Sequence, residues 1–398
     1  MTDLTRPRRF ALFESGFRPF FLLAGLDALA NMILWLVLFF RPDLWPSGEI
    51  PAAYWHAHEM LFGFAGAAIG GFMLTAVPNW TGRPPYRGPI LYGLTALWLA
   101  GRIVSLSFMN ILPTIATVLD CAFFPALAIA VSPALFRSGT YRNLPFLAFL
   151  SLLFVANLSF HLGMNGSPEL GEHIGLYTAI DIILMMIVII GGRIIPAFTR
   201  NALVKEGLRL SERNRPWVDR SAITSIVLMV ILDIAFPLSK VSGYASLLAA
   251  LMQAVRLGCW QGQRTLHHPL LWVLHLGYAW LTFALFLKAA SLLLDAALAA
   301  NWLHALTIGA FATMIMAVMS RAALGHSGRA LVAPRPMAVA YLLVSLAAAL
   351  RVLGPALYPE DFDVIIGLSG GFWIAAFAIY LWKYLPILVL PRSDGKAG

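Results

Sequence analysis

Apolar positions along this chain neither alternate nor keep to one face of a 3.6-residue period. They run unbroken for about 20 residues at a time and stop at short polar segments. Twelve such runs lie near 19–40, 55–78, 89–108, 112–134, 145–164, 172–196, 221–238, 241–258, 270–294, 300–320, 336–357 and 364–388. Each is long enough to carry a helix through a hydrocarbon core, where every backbone N–H and C=O must be paired internally. The pattern therefore predicts an all-α polytopic membrane protein, one transmembrane helical domain over 1–398. The longest polar stretch is 197–220, too short for a soluble domain, so function is expected in or beside the bilayer.

Composition narrows this further. With 60% hydrophobic and 12% charged residues, 398 residues cannot assemble a water-facing surface. A net charge of +9, from 28 Lys+Arg against 19 Asp+Glu, would point to nucleic acid in a soluble protein. Here 23 of the 28 cations belong to segments on one side of the alternating spans, only Arg41 and Lys240 lie on the other, and Arg102, Lys288 and Arg351 lie inside spans. That bias predicts both termini on the cytoplasmic side and no nucleic-acid partner. Arg6, Arg8, Arg9 and Arg18 precede a first run too long for a signal peptide, which reads as a start-anchor. Cys121 and Cys259 sit apart in apolar runs, excluding a disulfide framework or a cysteine metal site. A metal here must use His, Met or carboxylate.

Five of nine histidines fall at the external ends of these spans: His56 and His58 open the second, His161 closes the fifth, His173 opens the sixth and His304 opens the tenth. Any one of them reads more readily as structural than as a ligand, but five on one side, from four spans, point to a site. The buried charges show the same asymmetry. Arg102, Lys288 and Arg351 lie in the outer third of their spans, with Glu59, Asp120, Asp233 and Asp295 in the outer part of theirs, Asp181 near the middle and Asp27 deep on the inner side. Some of these are ion pairs that hold helices together. Three cations at one depth also fit a buried polyanion such as haem propionates, with imidazoles for the iron.

A weak internal repeat sharpens the choice. His58, Gly63, Met73, Ala76, Gly82 and Arg83 recur 246 positions later as His304, Gly309, Met319, Ala322, Gly328 and Arg329. The sixth span joins more loosely, opening on His173 and closing on Pro196-Ala197-Phe198-Thr199 much as the second closes on Pro78-Asn79-Trp80-Thr81. Similar spans at intervals of four suggest a three-times-four arrangement like that of the haem-copper oxidases, an analogy at the level of fold only.

The runs FRPFFLLAG at 17–25, WHAHEMLFGFAGAAIGGFMLTAVPNWTG at 55–82, GRIIPAFTRNAL at 192–203 and HALTIGAFATMIMAVMSRAALGHSGR at 304–329 resemble the NnrS family over essentially the whole chain. The resemblance implies a multi-pass protein of the bacterial inner membrane, associated with haem and copper, with resistance to nitric oxide (nitrosative) stress and with denitrification.

Together these readings predict a haem b, ligated first by His58 and His304 and held by Arg102, Lys288 and Arg351. His56, His161 and His173 are left for a second metal, copper or non-haem iron. His56 and His58, two apart on a helix, point about 200° apart and can hardly chelate one ion. Glu59 is the candidate acid-base group, or simply a carboxylate at a helix N-terminus. His173, Tyr177 and Asp181 form an inward polar stripe, a proton path or a packed face. The activity expected is an oxidoreductase turning NO into nitrous oxide, with membrane quinol as donor since no c-type C-x-x-C-H is present. The alternatives are a non-catalytic NO-binding haem protein and a twelve-helix secondary transporter. Against the transporter stand the loop 79–88, which lacks the Asp-Arg-x-Gly-Arg core of the major facilitators, and polar residues that cluster outward instead of at the midplane.

Overall fold

The computed structural model describes residues 10–46, 50–106, 112–139, 141–164, 166, 172–208, 215–297 and 301–395. The arginines of the N-terminal arm (Arg6, Arg8, Arg9) and the stretch 209–214 of the basic loop lie outside the described residues. Among the described residues there is no strand, and a helical stretch coincides with each predicted run. These are α1 Phe17–Phe40, α2 Ala52–Thr81, α3 Pro89–Val104, α4 Pro113–Phe136, α5 Pro145–Met164, α6 Glu172–Lys205, α7 Pro216–Ala235, α8 Lys240–Cys259, α9 Pro269–Leu294, α10 Trp302–His326, α11 Arg335–Leu357 and α12 Phe362–Val389. Nine of them are long and apolar enough to cross a membrane. The others have physical reasons for falling short: α3 is apolar but has only 16 residues, α7 carries Asp219, Arg220 and Asp233, and α8 carries Lys240, Gln253 and Arg256.

The structure corrects two of these expectations and refines two others. The sixth helix does not stop at 196 but continues to Lys205, so the predicted loop from 197 begins as helix. The run 112–134 is not one straight rod: Pro113–Cys121 and Phe123–Phe136 meet at Ala122, where Pro125 has no N–H to continue the ladder, leaving Asp120 beside the break. Arg18 and Arg256, counted with the loops, are buried on helices. Arg18 Nη1 donates to the Ile387, Leu388 and Leu390 carbonyls at 3.2, 3.0 and 2.6 Å, satisfying orphan acceptors at the end of α12. Arg256 pairs with Asp219 and donates to the Val188 carbonyl. Asp27 lies in the N-terminal half of α1 and is buried there, with consequences described below.

Contacts gather into two compact units. One comprises residues up to Ile182 with Met319–Leu331 and Phe377 onward, the other Ile183–Val318 with Val332–Ala376. Each has the same local device. In the first, α2 is α-helical to His58 and then π-helical over Glu59–Ala65, and both α1 and α3 pack on that wider segment. In the second, α10 is α-helical over Trp302–His304 and π-helical over Ala305–Ala312, with α9 and α11 packed on it. The π segments fall at equivalent positions of the 246-residue repeat, directly after His58 and His304. Gly82 and Gly328, paired by the same repeat, both take left-handed φ values, 66° and 72°, just past their helices. Across the described residues of α6 the helix is regular after His173, so the sixth span does not share this feature.

Candidate metal centre

A π turn holds one residue more than an α turn and recurs at functional sites because it re-aims the side chains that precede it. In α2 it sets His58 and Glu59, both 2% exposed, against α3, α4 and α5. His58 Nδ1 lies 2.9 Å from Glu59 Oε1. His58 Nε2 lies 2.9 Å from Asn157 Oδ1 and 3.1 Å from Asp120 Oδ2. The same Asp120 oxygen accepts from Asn157 Nδ2 at 2.9 Å and faces His161 Nε2 at 2.8 Å. Arg102 closes the ring, donating through Nη1 to Glu59 Oε2 at 3.0 Å and pairing through Nη2 with Asp120 Oδ1.

Gly63, within the π segment, explains how these groups come so close. A Cβ there would sit 2.7 Å from Asp27 Oδ2 and 2.8 Å from Arg102 Nη1, so only glycine leaves room for a carboxylate from α1 and a guanidinium from α3. The Gly63 carbonyl accepts from Trp98 Nε1 at 3.2 Å, tying α3 to the π segment. Around one guanidinium thus stand Glu59, Asp120 and Asp27. Glu59 and Asp120 face one guanidinium and the two nitrogens of His58, so a proton on His58, or a metal ion in that proton's place, balances the buried charge.

His58, Asp120 and His161 each offer one ligand atom, and these atoms lie within 4.8 Å of one another, the geometry of a compact metal site. Two imidazoles and a carboxylate suit copper or iron. Haem suits this place less well. Both His58 nitrogens face oxygens, and Arg102 is matched by carboxylates and not free to hold propionates. Lys288, in the second unit, pairs with Asp233 and lies 4.8 Å over the Trp302 ring, while Arg351 Nη1 donates to Asn301 Oδ1 at 2.9 Å.

The remaining candidates fall elsewhere. His56 stacks on Trp35, with ring centroids 4.5 Å apart, so its ring and that of His58 serve different surroundings. His173 is exposed and meets the Tyr54 hydroxyl at 2.9 Å, Tyr177 is half-buried and Asp181 buried, so the stripe on α6 runs from surface to interior within the first unit. His304 is half-buried in the second unit.

Sequence reasoning left Asp120, Asn157 and Asp27 out of the candidate site. Asp120 carried a usable signal, a carboxylate inside an apolar run five residues before a proline. Asn157 carried none.

The model of the NnrS family, described as NnrS protein, matches residues 11–392, which contain every residue of this cluster. The chain belongs to the NnrS family. Among curated proteins, nothing matches it. As a member of the NnrS family it is a multi-pass membrane protein in which the long motif at 55–82 supplies the π segment with its histidine and glutamate, and the motif at 304–329 supplies the second.

Proposed function

We propose that this NnrS protein detoxifies nitric oxide at a copper or iron ion held by His58, Asp120 and His161, reducing it to nitrous oxide with membrane quinol. The reading rests on the family's association with nitric oxide stress and on one observation: two imidazoles and a carboxylate converge in a buried cluster. The reaction balances as two NO plus quinol giving nitrous oxide, water and quinone. The metal supplies NO binding and electron relay. The protein supplies the rest. Glu59, bonded to His58 and Arg102, is placed to hold a proton beside the centre, and the His173–Tyr177–Asp181 stripe to deliver one from the surface. NO is small, neutral and lipid-soluble, so a site walled by apolar helices admits it while excluding ions. Haem b belongs to the same reading, with His304 as its candidate ligand and Lys288 and Arg351 as the candidate propionate partners.

In this reading all twelve helices cross a bacterial inner membrane, both chain ends are cytoplasmic and the cluster lies toward the periplasmic face. The support is the charge bias of the connecting segments and the meeting of the first part of α2 with the ends of α3 and α5.

The test is anaerobic turnover of purified protein with reduced short-chain quinol and NO, following both gases. One nitrous oxide should form per two NO consumed, and Asp120→Asn should abolish it. Stoichiometric NO binding without nitrous oxide would replace the reductase by a scavenger. Turnover that survives Asp120→Asn and His161→Ala would place the chemistry elsewhere.

A further inference from the structure

The second unit contains a cavity of about 600 Å³ that the cluster at His58 does not touch. Its walls are Leu257, Leu266, Trp272, Leu276, Ala279 and Leu342, with Gly258, Gly262 and His275 completing it and Gln263 at the rim. Leu266 and Leu342 are 70% and 57% exposed, so the mouth lies among side chains that face the surroundings of the helices. His275 is the one ionisable group in this lining. It sits six residues into α9, about 9 Å from the helix start, at the depth where a bilayer passes from headgroups to hydrocarbon.

The histidine is unusually placed for a purely structural residue. It is 8% exposed, and its Nε2 meets the Thr199 hydroxyl at 2.9 Å. Its Nδ1 is buried with no hydrogen-bond partner, which in an apolar wall leaves a polar group unsatisfied. Gly262 lies directly against it: a Cβ there would come within 2.6 Å of Nδ1. At Gly258, in the last turn of α8, a Cβ would meet nothing within 4 Å. Gly262 thus packs on the imidazole where any side chain would collide with it, and Gly258 leaves the space beside it unfilled.

We propose that this cavity binds the headgroup of a membrane quinone or quinol, with a ring oxygen hydrogen-bonded to His275 Nδ1 and the isoprenoid tail leaving past Leu266 and Leu342. An apolar chamber with one unsatisfied imidazole nitrogen requires a ligand that is mostly hydrocarbon with a carbonyl or hydroxyl at one end. A mouth among exposed leucines admits it from the lipid. Imidazole serves both redox forms, since Thr199 can donate to Nε2 and leave Nδ1–H for a quinone carbonyl, or accept from Nε2 and leave an Nδ1 lone pair for a quinol hydroxyl. A haem is disfavoured because Nδ1 adjoins the ring carbon that carries the side chain, where a flat macrocycle would strike the backbone and a single oxygen does not. The proposal rests on the reading that electrons come from membrane quinol, but concerns binding alone and is tested without NO.

The experiment uses the full chain in lipid nanodiscs and an azido-substituted decylubiquinone as photolabel, competed with unlabelled decylubiquinone. Label should map to residues 257–279 or to the neighbourhood of Leu342, and His275→Leu should weaken competition about tenfold, the loss of one hydrogen bond. His275→Gln, which keeps a donor and acceptor, should restore most of it, and Leu342→Trp, at an exposed rim position, should block binding should His275→Leu not fold. Label confined to residues other than 257–279 and the neighbourhood of Leu342, equal competition by an alkane lacking the headgroup, or haem absorption that disappears in His275→Leu would each overturn the proposal. If quinone binds while NO is inert, the nitric oxide reading fails and this one stands. If chemically reduced protein makes nitrous oxide and quinone does not bind, the reverse holds.

Discussion

Arg102 shows at one residue why the cluster has this composition. A guanidinium in this setting is tolerated only when its fork is filled, and Glu59 and Asp120 fill it from two helices. Arg102→Met should therefore destabilise the protein by about 3–5 kcal/mol, the cost of stranding buried carboxylates, and show as a lower unfolding midpoint in detergent. Arg102→Lys should recover only part, since one ammonium cannot match both carboxylates. A different residue controls the response to acid. Glu206, beyond the end of α6, accepts from His267 at 3.0 Å and His268 at 2.5 Å. These hydrogen bonds, that of His267 first, hold its carboxyl below the ordinary range. A carboxyl with a depressed folded-state value contributes stability above its unfolded value near 4.3 and loses it as pH falls through the lower folded one. Hydrogen exchange at 200–208 should thus quicken as pH drops below about 4, beyond the intrinsic change with pH. Glu206→Gln should lack that step. A Gln variant that still shows it would assign the step to other groups.

At the level of the element, the two π segments do the positioning. Deleting Leu61 should convert Glu59–Ala65 to regular α-helix and turn His58 and Glu59 by about 100° relative to the rest of α2. Helix content should persist by circular dichroism while metal binding is lost. Retained metal would show that the segment does not set the site. The repeat that marks these segments could be read from His58, Gly63 and Gly82 against His304, Gly309 and Gly328. The π geometry could not, because it depends on what packs against the helix: Arg102 and Asp27 at Gly63, and at Gly309 the Trp280 ring, 2.6 Å from where a Cβ would be. The helices themselves were legible because a hydrocarbon solvent permits little else, and their ends shifted where polar side chains found partners, as in the extension of α6 to Lys205. Depth along a helix did not reveal the part Asp27 plays beside Gly63, since height in the bilayer says nothing about which neighbour a side chain faces. Asn157 was invisible for the same reason: its role comes from contact with His58 and Asp120, not from any pattern in the chain.

Over the whole molecule, the proposed topology, an even number of crossings with both ends cytoplasmic, rests on the charge bias of the connecting segments. Cysteines introduced at 166 and 360 should react with an impermeant thiol reagent added from the periplasm, and those at 83 and 210 should not. The opposite pattern would invert the topology and move the His58 cluster to the cytoplasmic side. The central claim is that this cluster holds a redox metal which meets NO. Its most direct test is metal analysis of the purified protein, with electron paramagnetic resonance spectra before and after anaerobic NO, for the natural sequence and for Asp120→Asn and His161→Ala. One equivalent of copper or non-haem iron, a spectrum altered by NO, and loss of both in each variant with the fold intact is the predicted result. A natural protein without such a metal, or with a metal whose content and spectrum ignore both substitutions, would contradict it.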